Sequence, residues 1–114
     1  MTAQGSAYTR FKRAIERKNL LGAEMTLREM REVGLLDALD YLVLLAELRP
    51  ERSEPAAVRW HGRLELEAGN LTLRESQLAL AALMNLCAGE PDAADILRRL
   101  VRRARPTLVP RIGG

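Results

Sequence analysis

The chain has 114 residues, 47% hydrophobic and 29% charged, with a formal net charge of +3. That length suits one domain and is too short for two independent cores, while the apolar fraction lies above that of disordered chains. No apolar run approaches the roughly 20 residues of a membrane-spanning helix. The start, MTAQGSAYTRFKRA, has no apolar stretch of the secretory kind. A single cysteine, Cys87, excludes an intramolecular disulfide and a cysteine-based zinc site. A cytoplasmic protein is expected.

Leu, Ala, Arg and Glu dominate, and all are good helix formers. No stretch alternates apolar and polar residues as a half-buried strand does. The expected class is all-α, a compact bundle of about six short antiparallel helices. It would occupy residues 1–106, with 107–114 as a loose C-terminal tail.

The first helix is expected over residues 6–18, with Tyr8, Phe11 and Ile15 at helical spacing. Asn19 can cap a second helix reaching about Val33, where Leu20, Ala23, Leu27 and Met30 draw one apolar stripe. Gly34 suits the left-handed residue that ends it. The third helix, Leu35 to about Leu48, carries Leu35, Leu36, Leu39, Leu42, Val43, Leu45 and Ala46, a stripe broad enough for a central position. Arg49-Pro50 stops it. Ser53, or Glu54 before Pro55, opens the fourth, since proline is favoured at the first helical position.

Ala57, Trp60, Leu64 and Ala68 form the inner face of the fourth helix, and Gly69 ends it. Thr72-Leu73-Arg74-Glu75 reads as a capping box, the strongest helix start in the chain. In the fifth helix, residues 78–84 (LALAALM) are apolar on every side, which predicts burial beside the third helix. Gly89 closes it and Pro91 opens the sixth. There Ala93, Ile96, Leu97, Leu100, Val101 and Ala104 make a clean stripe, and Arg105-Pro106 ends the fold.

Two resemblances accompany this reading. The segment YTRFKRAIERKNLLGAEMTLREMREVG resembles one helical hairpin of the pentatricopeptide or tetratricopeptide sort, through the early aromatic, the Ala-Glu after a short turn, and Arg-Glu-Met before a glycine. It covers about 27 residues and does not recur at the period such repeats require. The segment LLDALDYLVLLAELRPERSEPAAVRWHGRLELEAGNLTLRESQLALAAL resembles short uncharacterised all-helical proteins encoded in high-GC bacterial genomes. The Asp-Ala-Leu start, the AAVRW-x-GR helix and the Leu-x-x-x-Gln-x-Ala-Leu-Ala-Ala-Leu helix carry that likeness. It implies a shared fold and no particular activity.

The inventory for catalysis is thin: one His, one Cys, and serines at 6, 53 and 76. Cys87 falls in an apolar helix, where a buried inert thiol is the ordinary outcome. His61 and Glu65 stand at i, i+4 and hold half of a metal site at most. Asp37 and Asp40 share a helix face, and Glu65 and Glu67 lie near the end of another. Such pairs perform acid–base work only where a pocket drives their pKa values apart. No GxGxxG or GxxxxGK[ST] loop is present to cradle a phosphate. No enzyme is expected, and no catalytic residue, cofactor, metal or small-molecule substrate is assigned.

Charge is segregated along the chain. Residues 1–18 carry five basic groups and one acid, residues 19–95 seven and 14, and residues 96–114 six Arg and no acid. In the sixth helix Arg98, Arg99, Arg102, Arg103 and Arg105 lie opposite the apolar stripe. Such a face suits a phosphate backbone, an anionic lipid surface or an acidic protein, or pairs with the acidic middle of the chain itself. The leading expectation is a small non-catalytic helical interaction module that binds another protein or its own copy. Leu44, Leu48, Leu66 and Met25 fall off the main stripes as its candidate apolar patch. The alternative is a nucleic-acid-associated accessory protein using the Arg face of the sixth helix with Arg10, Arg13 and Arg17. Trp60 at Ala57/Trp60/Leu64 spacing reads as a core anchor.

Overall fold

Residues 3–104 are described by a computed structural model, in which an Asn cap and an unusual turn make the first feature, a helical hairpin. Helix α1 spans Ala3–Glu16 and α2 spans Leu20–Glu29. The Asn19 side chain accepts from the Gly22 backbone N–H at 3.0 Å, satisfying one of the free donors of the first turn of α2. Lys18 holds φ 54°, the left-handed conformation that glycine normally supplies at a helix end. The Asn19 N–H donates to the Ala14 carbonyl at 2.8 Å across that turn, so the reversal needs no glycine.

Helix α2 ends earlier than expected, and Met30 turns extended. Gly34 is not the left-handed terminator of that helix: its φ is −66° and it precedes helix α3, Leu35–Leu48, as the N-cap. A single 3-10 turn at Pro50–Arg52 then leads into helix α4, Ser53–Ala68. Gly69, at φ 72°, ends α4 as the sequence indicates. Helix α5, Leu73–Cys87, begins with the capping box intact: the Glu75 N–H donates to Thr72 Oγ1 at 3.1 Å and the Thr72 N–H to Glu75 Oε1 at 3.0 Å. A turn through Pro91 precedes helix α6, Ala93–Ala104. The fold is all-α, with six α-helices among the described residues.

α3 is the hub and touches every other helix. Its Leu35, Leu39, Leu42 and Ala46 join Ala57, Trp60 and Leu64 of α4, Ala79, Ala82, Leu83 and Leu86 of α5, and Leu97, Leu100 and Val101 of α6 in the main core. A second, smaller core joins Ala7, Phe11 and Ala14 of α1 with Ala23 and Met30 of α2. Leu44 of α3 completes it and is buried, against its expected place in an exposed patch. Tyr8 and Ile96 lie at the margins of their stripes and are partly in water.

The α1–α2 hairpin is fastened to the rest largely by polar contacts. Tyr41 Oη donates to Glu24 Oε2 at 2.6 Å, and Arg52 Nη2 donates to the same oxygen at 2.7 Å. Lys18 Nζ meets Glu47 at 2.8 Å, and Lys12 Nζ lies 3.7–3.8 Å from Asp40 and Asp37. The Tyr41 hydrogen bond, helped by Arg52, holds the Glu24 carboxyl below its usual range. Burial, and then the bond to Glu24, push the Tyr41 phenol up to about 12 from the ordinary 10.0.

A phenol whose folded value is raised contributes stability that is full below pH 10.0 and is lost as pH climbs through about 12. Tyr41→Phe removes that contribution. Denaturation midpoints of the variant are expected to fall less steeply than those of the wild type across this window. Parallel declines would contradict the assignment.

Candidate functional site

The basic face of α6 divides in two once the helix is folded. At about 100° per residue, Leu97, Leu100, Val101 and Ala104 centre on the core, Arg98 and Arg103 fall on the two flanks, and Arg99 and Arg102 point outward. Arg98 donates from Nη2 to Asp40 at 3.2 Å and from Nη1 to Asp95 at 3.0 Å. Arg103 donates from Nη2 to Glu75 Oε1 at 2.7 Å, with Nε 2.5 Å from Oε2. The Thr72 backbone N–H first, with the Thr72 hydroxyl and Arg103, holds the Glu75 carboxyl below its usual range. These two arginines therefore fasten α6 to α3 and α5. Arg99 and Arg102 are exposed and make no ion pair among the described residues.

Asp40 is shared: it meets Lys12 of α1 and Arg98 of α6, so the two basic helices approach each other at this carboxylate. Burial pushes the neighbouring Asp37 carboxyl up against the opposing pull of Lys12. On the same wheel, Arg10, Arg13 and Arg17 lie on the flank of α1 away from Lys12. Arg10 forms a two-pronged pair with Glu29 of α2 at 2.7 and 2.9 Å. Arg13 and Arg17 are exposed and make no ion pair among the described residues. The fold thus brings Arg98, Arg99, Arg102 and Arg103 together on α6 and keeps Arg10, Arg13 and Arg17 on a different side. Arg105 and the tail 107–114 lie outside the described residues.

His61, Glu65 and Ser76 meet between α4 and α5. His61 Nε2 lies 3.2 Å from Glu65 Oε2 and 3.3 Å from Ser76 Oγ, and the Ser76 hydroxyl donates to Glu65. A serine nucleophile relay needs the hydroxyl on one imidazole nitrogen and the acid on the other. Here both sit on Nε2 and the hydroxyl proton goes to the carboxylate, so the cluster acts as a latch between two helices. No group of three or more His, Cys, Asp or Glu suited to a metal ion occurs among the described residues. No described helix is long and apolar enough to cross a membrane. Trp60 is the core anchor expected of it, 3% exposed, its Nε1 donating to the Leu35 carbonyl at 3.0 Å.

The largest departure from the sequence reading is α5. It is not buried on all sides: Ala79, Ala82, Leu83 and Leu86 face the core, while Leu73, Leu80 and Met84 form a second stripe in solvent. Beside them α4 presents Val58 and Leu66 outward. Leu66 and Leu73 are 85% and 87% exposed, Met84 72% and Val58 65%. The two helices run antiparallel, as the Glu65–Ser76 contact at one end and the shared lining of Glu54 and Ala88 at the other require. Between them lies a groove of about 430 Å³ lined by Ala57, Val58, Leu80, Leu83, Met84 and Cys87 among others. Cys87 is half-buried, lining this groove and packed against the main core. Of the patch expected from sequence, Met25, Leu48 and Leu66 are exposed, but on three different helices, α2, α3 and α4.

No family model matches this chain, and neither a curated protein nor a solved structure matches it.

Proposed function

We propose that this chain is a small, non-catalytic protein-interaction module whose docking surface is the outward face of α4 and α5. One observation carries the reading: Val58, Leu80 and Met84, 65%, 45% and 72% exposed, line one open groove between α4 and α5, and Leu73 lies further along the same side of α5. Folded monomers rarely leave contiguous apolar surface of this kind uncovered unless a partner covers it. The exposed apolar side chains of α5 have no use within the monomer, because the core is closed by the other side of the helix. The reading places the protein in the cytoplasm, where the Cys87 thiol stays reduced. The kinship with short all-helical proteins of high-GC bacteria is part of the same proposal.

The test is retention of a protein, either a second copy or a different chain, from a lysate of the cells that make it. Immobilised wild type is expected to hold a protein that Leu80→Glu/Met84→Glu does not. Both side chains are solvent-exposed, so the fold tolerates the change. The same proteins retained by both would overturn the reading.

A second reading, nucleic-acid association, is favoured by one observation, the outward Arg99 and Arg102, which make no ion pair among the described residues. Each phosphate neutralised makes the affinity fall with salt. Arg99→Glu/Arg102→Glu, which leaves the Arg98 and Arg103 fastenings in place, is expected to abolish duplex binding if this reading holds. Binding unchanged by that variant would end it.

A further inference from the structure

We propose that the segment after α6, residues 105–112, docks in a second groove of the molecule, the one between the start of α3, the end of α4 and Val101 of α6. This groove, of about 650 Å³, shares no lining residue with the one between α4 and α5. Val33, Leu36 and Val101 give it apolar walls, and Asp37, Arg63 and Glu67 add charge. Val33 and Leu36 are half-buried, so part of each stays open to an occupant.

The position of the groove along the chain is the first reason for this occupant. Arg103, in the last turn of α6, donates to Glu75 at 2.7 Å and to the Asn70 carbonyl at 3.4 Å, which sets the end of α6 against the α4–α5 turn. Val101 lines the groove itself, and Ala104, the last described residue, follows within one turn. The continuing chain therefore starts about 5 Å along the helix axis from Val101. Pro106 does not extend a helix, because it lacks the N–H and constrains the residue before it. Eight extended residues span at most about 26 Å, ample to cross a groove of this volume.

Composition is the second reason. The segment reads RPTLVPRI, which sets Leu108, Val109 and Ile112 among two prolines and two arginines. The apolar side chains suit Val33, Leu36 and Val101, and the prolines lower the conformational entropy lost on docking. The arginines suit an acid short of charge. Asp37 has one cation among the described residues, Lys12 at 3.8 Å, and burial outweighs its pull and pushes the carboxyl up. An arginine of the segment supplies what Asp37 lacks, whereas Glu67 is already held by Arg63. Covalent attachment then selects this occupant over a free one. A short tether presents the segment at a millimolar effective concentration, so a contact with a Kd of about 1 mM fills the groove about half of the time.

Methyl resonances of the full chain, compared between wild type and Leu108→Ser/Ile112→Ser, are the test. Both substitutions lie beyond the last described helix, so the six helices are left as they are. The signals of Val33, Leu36 and Val101 are expected to shift as their apolar neighbours are lost, while those of Leu21, Leu80 and Met84 stay fixed. Val33 and Leu36 are remote in sequence from both substitutions and carry the result. A synthetic peptide of residues 105–112, added at about 1–5 mM to the variant, is expected to return the three signals toward their wild-type positions. Unchanged signals at Val33 and Leu36, or a peptide that leaves them where the variant has them, overturn the proposal. Shifts at Leu80 and Met84 instead put the segment on the α4–α5 face and overturn it equally, as do shifts spread over all six helices.

Discussion

Trp60→Ala is expected to lower folding stability by about 3–5 kcal/mol, a large share of the total for a domain of this size. Trp60 of α4 is buried in the main core together with Leu35, Leu39 and Leu42 of α3, Leu83 of α5 and Leu97 of α6. Its removal opens a cavity that the rigid packing around it fills only in part. It also deletes the Nε1 bond to the Leu35 carbonyl, a net contribution of about 1 kcal/mol. Because this core joins four helices, the loss is expected to appear in one cooperative urea transition shifted to lower denaturant. A change below about 2 kcal/mol would show that Trp60 is not the anchor of the fold.

Phe11→Ala is expected to cost a similar amount, about 3–5 kcal/mol, but to spend it locally. Phe11 is fully buried in the second core, which α1 and α2 share mainly with each other and, through Leu44, with α3. The remaining links of this hairpin to the body are largely polar: Glu24 with Tyr41 and Arg52, Lys18 with Glu47, and Lys12 with Asp37 and Asp40. Several of these are well exposed, and exposed pairs contribute little. Amide exchange of the variant is expected to accelerate strongly in α1 and α2 while α3 to α6 stay protected, the behaviour of a separate cooperative unit. Uniform acceleration over all six helices would contradict the division into two cores.

Much of this fold is legible in the residues. The Asn19 cap, the Pro50 stop, the left-handed Gly69 and the Thr72–Glu75 capping box each act through chemistry that is local to a few positions. The Lys18 turn is not legible, because a left-handed lysine gives no sign in the sequence and is held by bonds across the turn. Gly34 misleads for the converse reason: an extended N-cap and a left-handed terminator accept the same residue. Helix α5 shows the deeper limit. An apolar helix segment is read as buried, yet burial within the chain and a face left for a partner leave the same pattern. Leu73, Leu80 and Met84 are distinguishable from Ala79, Leu83 and Leu86 only after the main core has been filled by α3, α4 and α6.

The basic stripe of α6 follows the same logic. Its five arginines are equivalent by composition, and only the positions of Asp40, Asp95 and Glu75 separate the flank residues Arg98 and Arg103 from the outward Arg99 and Arg102. Charge segregation along the chain admits pairing between the acidic middle and the basic ends as one outcome among several, and does not say which residues take part. Similarly, the i, i+4 spacing of His61 and Glu65 gave their contact, while Ser76 arrives from another helix.

The central claim, that the outward groove of α4 and α5 docks a protein, is tested most directly by the methionine methyl resonances of the labelled chain in a lysate of the cells that make it. Met84 stands on that face and Met25 on α2, and both are exposed. Relative to buffer, the Met84 methyl signal is expected to move or broaden in the lysate, while the Met25 signal stays fixed. A Met84 signal that does not move, or a larger movement at Met25, would contradict the account.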